Sequence, residues 1–191
     1  MAYPDPNFLP GRRYILSGAL AAVALPAQAG VKPELVKGAV ARFVPAKTPK
    51  PLPDLEFQDA DDKPLRFADF RGKALLINFW ATWCVPCVKE MPSLDRLQAA
   101  LPRDKFLVLP LSIDSASRSK VAPFYKERKL AHLGIYFDKG RKAMQGLDVS
   151  LLPTSLLIDP EGRELGRLEG DADWDMPEGV ALMKAAIARQ G

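Results

Sequence analysis

The chain has 191 residues, 48% of them hydrophobic and 26% charged, with a formal net charge of +4 and a pI of about 9.1. These values fit a soluble globular protein and exclude both a disordered tail and a multi-span membrane protein. Two cysteines are too few for a disulfide framework, and one histidine excludes a His-rich metal site.

The basic excess is local. Residues 1–53 hold seven Lys/Arg against Asp5 and Glu34, which leaves 20 basic and 21 acidic side chains for residues 54–191. The charge therefore argues for a leader and against a nucleic-acid partner. Arg12-Arg13, the apolar run Tyr14 to Leu25 and Ala27-Gln28-Ala29 follow the order of a secretory signal. The run is shorter than the roughly 20 residues a spanning helix needs. Residues 1–29 are read as a signal peptide or, if uncut, an N-terminal anchor, and residues 11–29 would then tether the protein to the membrane. Arg12-Arg13 also resembles a twin-arginine signal, with Gly11 where Ser or Thr would stand. Either route places the protein in the periplasm or cell envelope. Residues 30–53 carry a short amphipathic stretch, Pro33 to Phe43, and prolines at 45, 49, 51 and 53. Those prolines favour extended polyproline geometry, so a Pro/Lys-rich linker is expected here. The folded domain is expected over 54–191.

Within the domain, Leu55-Glu56-Phe57 and Leu65-Arg66-Phe67 flank a polar turn, Asp59 to Pro64, which predicts an N-terminal β-hairpin. Ala74 to Trp80 is nearly continuous apolar sequence, the pattern of a strand buried on both faces. A helix is predicted from about Cys87 to Leu101, with Val88, Met91, Leu94, Leu97 and Leu101 on one stripe and Pro92 inside it. Phe106 to Ile113 predicts a second buried strand and 117–129 a basic amphipathic helix around Val121, Phe124 and Tyr125. Ile135 to Phe137 follows as a short strand and Arg141 to Leu147 as a short helix. Thr154 to Ile158 and Arg163 to Leu168 form a closing hairpin through Pro160-Glu161-Gly162, and a terminal helix runs from about Pro177 to Arg189. This order predicts an α/β fold with a mixed central sheet and helices on both faces. The acidic clusters Asp59 to Asp62 and Asp171 to Asp175 fall at predicted turns and are read as solvated.

Both cysteines lie in Trp83-Cys84-Val85-Pro86-Cys87, between a buried strand and a helix. A zinc half-site would need two more soft ligands, and His132 stands alone. A structural staple closing four residues would contribute about 2 kcal/mol, against about 4.7 kcal/mol for a 100-residue loop. A redox dithiol is the reading that uses the location, because the unpaired amides at a helix N-terminus stabilise a thiolate. Cys84 would then be the exposed attacker and Cys87 the resolving thiol.

The segment Asn78 to Cys87, running on through Val88-Lys89-Glu90-Met91-Pro92-Ser93-Leu94, resembles the active-site region of the thioredoxin superfamily. More narrowly, it resembles the TlpA/ResA branch of exported thiol:disulfide oxidoreductases. Gly72 to Ile77 ahead of the motif and Leu152-Pro153-Thr154 to Asp159 downstream extend the match over roughly residues 52–190. The resemblance implies a thioredoxin-like fold and a cis peptide bond before Pro153. It implies that Leu152 turns its backbone to a bound partner strand, and that Glu90 lies beside the dithiol. Glu90 has two readings, a mover of the resolving thiol's proton or a first-turn glutamate favoured by the helix dipole. Trp83 and Trp80 match aromatics around the site, and Pro86 lies between the cysteines. Thioredoxin has a buried aspartate where this chain has Asn78, so a proton route here would use Glu90 or water.

Catalytic candidates are therefore Cys84, Cys87, Glu90 and Pro153, with Trp83, Pro86 and Leu152 as substrate-contact candidates; no metal or other cofactor is expected. Val85-Pro86 offers no donor or charge to the Cys84 thiolate. The expected potential therefore lies toward thioredoxin's roughly −270 mV and away from DsbA's roughly −120 mV. The implied partners are protein disulfides and a membrane electron-donor protein, and a monomer is expected. The branch includes reductants that serve cytochrome c maturation and respiratory-oxidase copper-site maturation. Two other activities fit the fold. A thiol peroxidase usually has Pro-x-x-x-Thr/Ser-x-x-Cys, whereas here Thr82 precedes Cys84 by two residues. A Cu(I)-handling module could use two thiolates, but such chaperones place three residues between the cysteines and add a histidine.

Overall fold

The two apolar runs at the centre of the sequence become the centre of the protein. In the computed structural model, which describes residues 30–114 and 117–189, β4 (Ala74–Trp80) and β5 (Phe106–Ser112) are buried at every position. They lie parallel and in register from Ala74 opposite Phe106 to Trp80 opposite Ser112. A parallel pair needs a crossover, and α1 (Val85–Ala100) supplies it. The residues read as a signal peptide, 1–29, lie outside the described residues.

Around this pair the sheet grows in both directions. β7 (Thr154–Ile158) runs antiparallel to β4, and β8 (Arg163–Glu169) antiparallel to β7. On the other side, β6 (Tyr136–Phe137) runs parallel to β5. The hairpin of β2 (Glu56–Asp59) and β3 (Pro64–Arg66) continues the sheet from β6. With β1 (Val44–Pro51) the order is β1-β8-β7-β4-β5-β6-β2-β3. Pro110 is tolerated inside β5 because its pairing with β6 begins only at Leu111. The remaining helices are α2 (Ser117–Arg128), α3 (Lys142–Gly146) and α4 (Pro177–Ile187). Of these, α4 packs on β4 and β7, and α3 on β2.

The expected linker is not a free spacer. Residues 33–40 form two 3-10 turns, Val40 and Phe43 are buried in the core, and Val44–Pro51 pairs with β8 as an edge strand. The folded unit therefore begins well ahead of residue 54. The prolines that suggested polyproline are compatible with an edge, where a missing N–H costs no ladder bond if it faces outward. Prolines and lysines on the outer strand also discourage a further strand from adding. Gly166 is what lets β1 approach. A Cβ there would run into the Val44 carbonyl and the Phe43 ring. Gly166→Ala should therefore lower stability by about 1–3 kcal/mol and expose the amides of 44–51 to hydrogen exchange. Unchanged exchange over that segment would refute its packing against β8.

Candidate active site

The dithiol sits where β4 hands the chain to α1. Leu75 to Phe79 pair with β7 on one side, and Ala74 to Trp80 with β5 on the other, so the end of β4 is rigid. The next residues are pinned to the end of β5. Thr82 N and Thr82 Oγ1 donate to the Asp114 carboxylate at 2.9 and 2.7 Å, and Ser112 Oγ donates to it at 2.9 Å. Helix α1 then starts at Val85, two residues earlier than predicted, with Cys84 as its N-cap. Sulfur takes the usual place of a capping oxygen. Cys84 Sγ accepts from Cys87 N at 3.3 Å, and Pro86 occupies an early helical position that needs no backbone donor.

Cys84 and Cys87 are joined as a disulfide. Cys87 is completely buried, whereas Cys84 retains 7% of its surface. Around it stand exposed apolar side chains, Trp83 at 61% and Val85 at 80%, together with exposed Pro86. Pro153 follows a cis peptide bond from Leu152. Thr154 lies opposite Phe79, which puts the half-buried Leu152, Pro153 and the exposed Leu151 at the same end of the sheet as Cys84.

Glu90 is one helical turn past Cys87, and it is 2% exposed. Asn78 Nδ2 donates to its Oε1 at 2.8 Å, and Ala172 N and Trp174 Nε1 both donate to its Oε2 at 3.2 Å. These bonds favour the carboxylate, but burial opposes them and dominates, so the carboxyl is pushed up from 4.5 to about 7. Asn78 also donates to Ser155 Oγ at 3.0 Å, while its own Oδ1 is buried with no hydrogen-bond partner. A half-turn of that amide would bring Oδ1 to the place of Nδ2, 2.8 Å from Glu90 Oε1. Asn78 can thus donate to the carboxylate or accept from the neutral acid, whereas an aspartate would have to take up a proton of its own in order to donate.

Residues 49–163 match the AhpC/TSA family. The chain belongs to the AhpC/TSA family. It is 32% identical over 130 residues to the thiol-disulfide oxidoreductase ResA of Bacillus anthracis, spanning 68% of this chain and 74% of that relative. It is 31% identical over 111 residues to ResA of Bacillus subtilis (strain 168), spanning 58% and 61%. The exposed lipoprotein thioredoxin Etrx1 of Streptococcus pneumoniae strain TIGR4 has a TM-score of 0.56 at 26% identity, covering 69% of this chain and 97% of that one. The fold is thioredoxin-like, and this AhpC/TSA protein is a thiol:disulfide oxidoreductase.

Not every residue matched by sequence belongs to the reacting face. Trp80 is fully buried and packs on Phe124 and Tyr125, 5.1 and 6.1 Å between ring centroids, so it is core. His132 is exposed, and its backbone amide donates to Asp95 Oδ1 at 2.7 Å. Four contributors escaped the sequence reading: Asp114, Ser155, Ala172 and Trp174. Trp174 carried a usable signal, since a lone tryptophan among acids in a turn must bury its ring somewhere. The AhpC/TSA protein also has a cavity of about 520 Å³ lined by Leu52, Arg66, Phe70, Leu75 and Ile158. Leu75 and Ile158 pair at the opposite end of β4 from Cys84, so this cavity is remote from the chemistry.

Proposed function

We propose that the protein is an exported reductant of protein disulfides, working through Cys84 and Cys87 in the cell envelope. One observation carries this reading: Cys84 is the sulfur with surface, and it opens onto an exposed apolar collar rather than into an enclosed pocket. An open collar suits a strand or loop of another protein, and the half-buried Leu152 before Pro153 presents backbone at the same end. The Arg12-Arg13, apolar and Ala27-Gln28-Ala29 order supports export. Among the described residues, no helix is long and apolar enough to cross a membrane.

In the reducing direction the Cys84 thiolate attacks one sulfur of a substrate disulfide. That S–S bond breaks, a mixed disulfide forms, and the first substrate thiolate leaves and takes up a proton. Cys87 then gives its proton to the Glu90 carboxylate, and its thiolate attacks Cys84 Sγ. The second substrate thiolate is released and is protonated from Glu90 or water. Two electrons have passed from the dithiol to the substrate, and the protein is left with the Cys84–Cys87 disulfide. A dithiol protein of the membrane would return the two electrons. Placing the general base at about pH 7 keeps it divided between acceptor and donor forms at neutral pH.

The substrates proposed are apocytochrome c and proteins of respiratory copper-site maturation. Cys87→Ser leaves the mixed disulfide unresolved, so it should accumulate such a partner covalently on Cys84 in living cells. The wild-type potential should lie below the roughly −180 mV of the isomerase class. Capture of neither partner type would refute the physiological assignment, and a potential above that value would refute the reducing direction.

A further inference from the structure

The loop between β8 and α4 is bonded to both flanks of the dithiol. Gly170 N donates to the Pro153 carbonyl at 2.8 Å. Two residues on, Ala172 N and Trp174 Nε1 hold Glu90 Oε2. Ser93 of α1 secures the loop from inside, donating to Ala172 O and accepting from Trp174 N, each at 3.2 Å. From outside it is held by a residue of the segment that sequence alone reads as linker. Arg42 Nη1 donates to Glu169 O at 3.4 Å, and Arg42 Nη2 donates to Asp171 O.

Two further observations show that this clasp is built. Gly170 has φ +89, and a Cβ there would meet Arg42 Nη1 at 2.5 Å, so the glycine makes room for the guanidinium to lie on the loop backbone. Val40 and Phe43, on either side of Arg42, are buried in the core and fix where its side chain starts. The planar fork suits two carbonyls better than an ammonium would.

We propose that Arg42 is a positioning residue for the active-site acid, clasping the 169–171 backbone so that the loop stays shut over Glu90 and excludes water. The inference rests on the reading of Cys84 and Cys87 as the working dithiol. It makes the N-terminal segment part of the catalytic apparatus. The groups around Glu90 are few. Asn78 of β4 and Ser155 of β7 are neutral, and the Cys87 sulfur precedes it on α1. On the loop, Asp171 raises the Glu90 carboxyl slightly and is itself paired to Lys89 Nζ at 3.0 Å and Arg42 at 3.8 Å. Burial is the dominant influence on Glu90, so opening the loop should return its titration toward the ordinary carboxylate range.

The test is the titration of Glu90 by carboxyl carbon NMR in the full-length oxidised protein. Arg42→Ala should lower the midpoint from about 7 by about one pH unit or more, because water then reaches the carboxyl. Gly170→Ala, which keeps the arginine but crowds it off the backbone, should move the midpoint the same way. Lys89→Ala removes a charge beside Asp171 and leaves the clasp, so it should not lower the midpoint. A melting curve for each variant establishes that it is folded. An unchanged or raised midpoint in folded Arg42→Ala overturns the proposal, as does an equal fall in Lys89→Ala, since loss of that cation alone does not lower a carboxyl and the fall would then not be specific to the Arg42 clasp. Disulfide-reductase assays on wild type and Cys84→Ser separate the two readings. Activity persisting in Cys84→Ser would remove the dithiol function while leaving the Arg42 clasp standing.

Discussion

A Cys84→Ser protein is expected to lose disulfide-reductase turnover on the order of a thousandfold or more, because the covalent route disappears with its nucleophile. The neighbouring sulfur cannot take over, since Cys87 has no exposed surface in the folded chain. Local structure should survive the change. Serine is a preferred N-cap, and its hydroxyl can accept from Cys87 N, the donor that Cys84 Sγ now receives at 3.3 Å. Loss of activity with an unaltered melting temperature, measured on reduced protein, would therefore report chemistry and not unfolding. Cys87→Ser should behave differently, completing the first exchange and then stalling as a stable mixed disulfide. Turnover by Cys84→Ser above about a tenth of wild type would refute the assignment of the dithiol as the reacting centre.

The parts of this site that sequence made legible are those encoded by neighbours in the chain. Cys84, Cys87 and Glu90 are joined by the period of one helix, and the buried runs at 74–80 and 106–112 announce the strands that support them. The start of α1 lies two residues ahead of its predicted place because a cysteine is not among the residues expected to cap a helix. Long-range contacts left weaker traces. Proline spacing in 45–53 suggested an extended spacer, and the chain is indeed extended there, but only the Gly166 gap shows that it lies against β8. The acidic run Asp171 to Asp175 read as a solvated turn. Two of its charges, Asp171 and Asp175, lie near the surface paired to Lys89 and Arg96, while its backbone turns inward to Glu90. Periodicity reports which side chains face the core. It is silent on which backbone amides do, and here the amide of Ala172 is one that matters.

Glu90 should make the stability of the oxidised protein fall as pH rises, against the usual behaviour of carboxylates. Its carboxyl is raised from 4.5 to about 7 in the folded state, first by burial, with the bonds from Asn78, Ala172 and Trp174 opposing the rise. Between those two values the folded chain holds a proton that the unfolded chain has lost. The contribution is therefore fully present below about pH 4.5, declines through the interval, and is gone above about pH 7. An interval of that width corresponds to about 3 kcal/mol. Glu90→Gln isolates this dependence, because glutamine is neutral throughout. Its amide keeps an acceptor for some of the three donors and turns an NH2 toward the rest, an offset that does not vary with pH. The difference in unfolding free energy between Glu90→Gln and wild type should consequently shift by about 3 kcal/mol in favour of the variant from about pH 4 to about pH 8, read from urea titrations of the two oxidised proteins. The Asn78 amide supplies the structural reason the neutral form is tolerated, since its unpaired Oδ1 can rotate to accept the Glu90 proton. Asn78→Asp would replace that adaptable amide with a second carboxyl beside the first. It should push the pair's titration upward and steepen the decline with pH. Parallel pH profiles for wild type and Glu90→Gln would show that Glu90 titrates in the folded protein where it does in the unfolded chain, near 4.5, which would remove it as a proton acceptor tuned to neutrality.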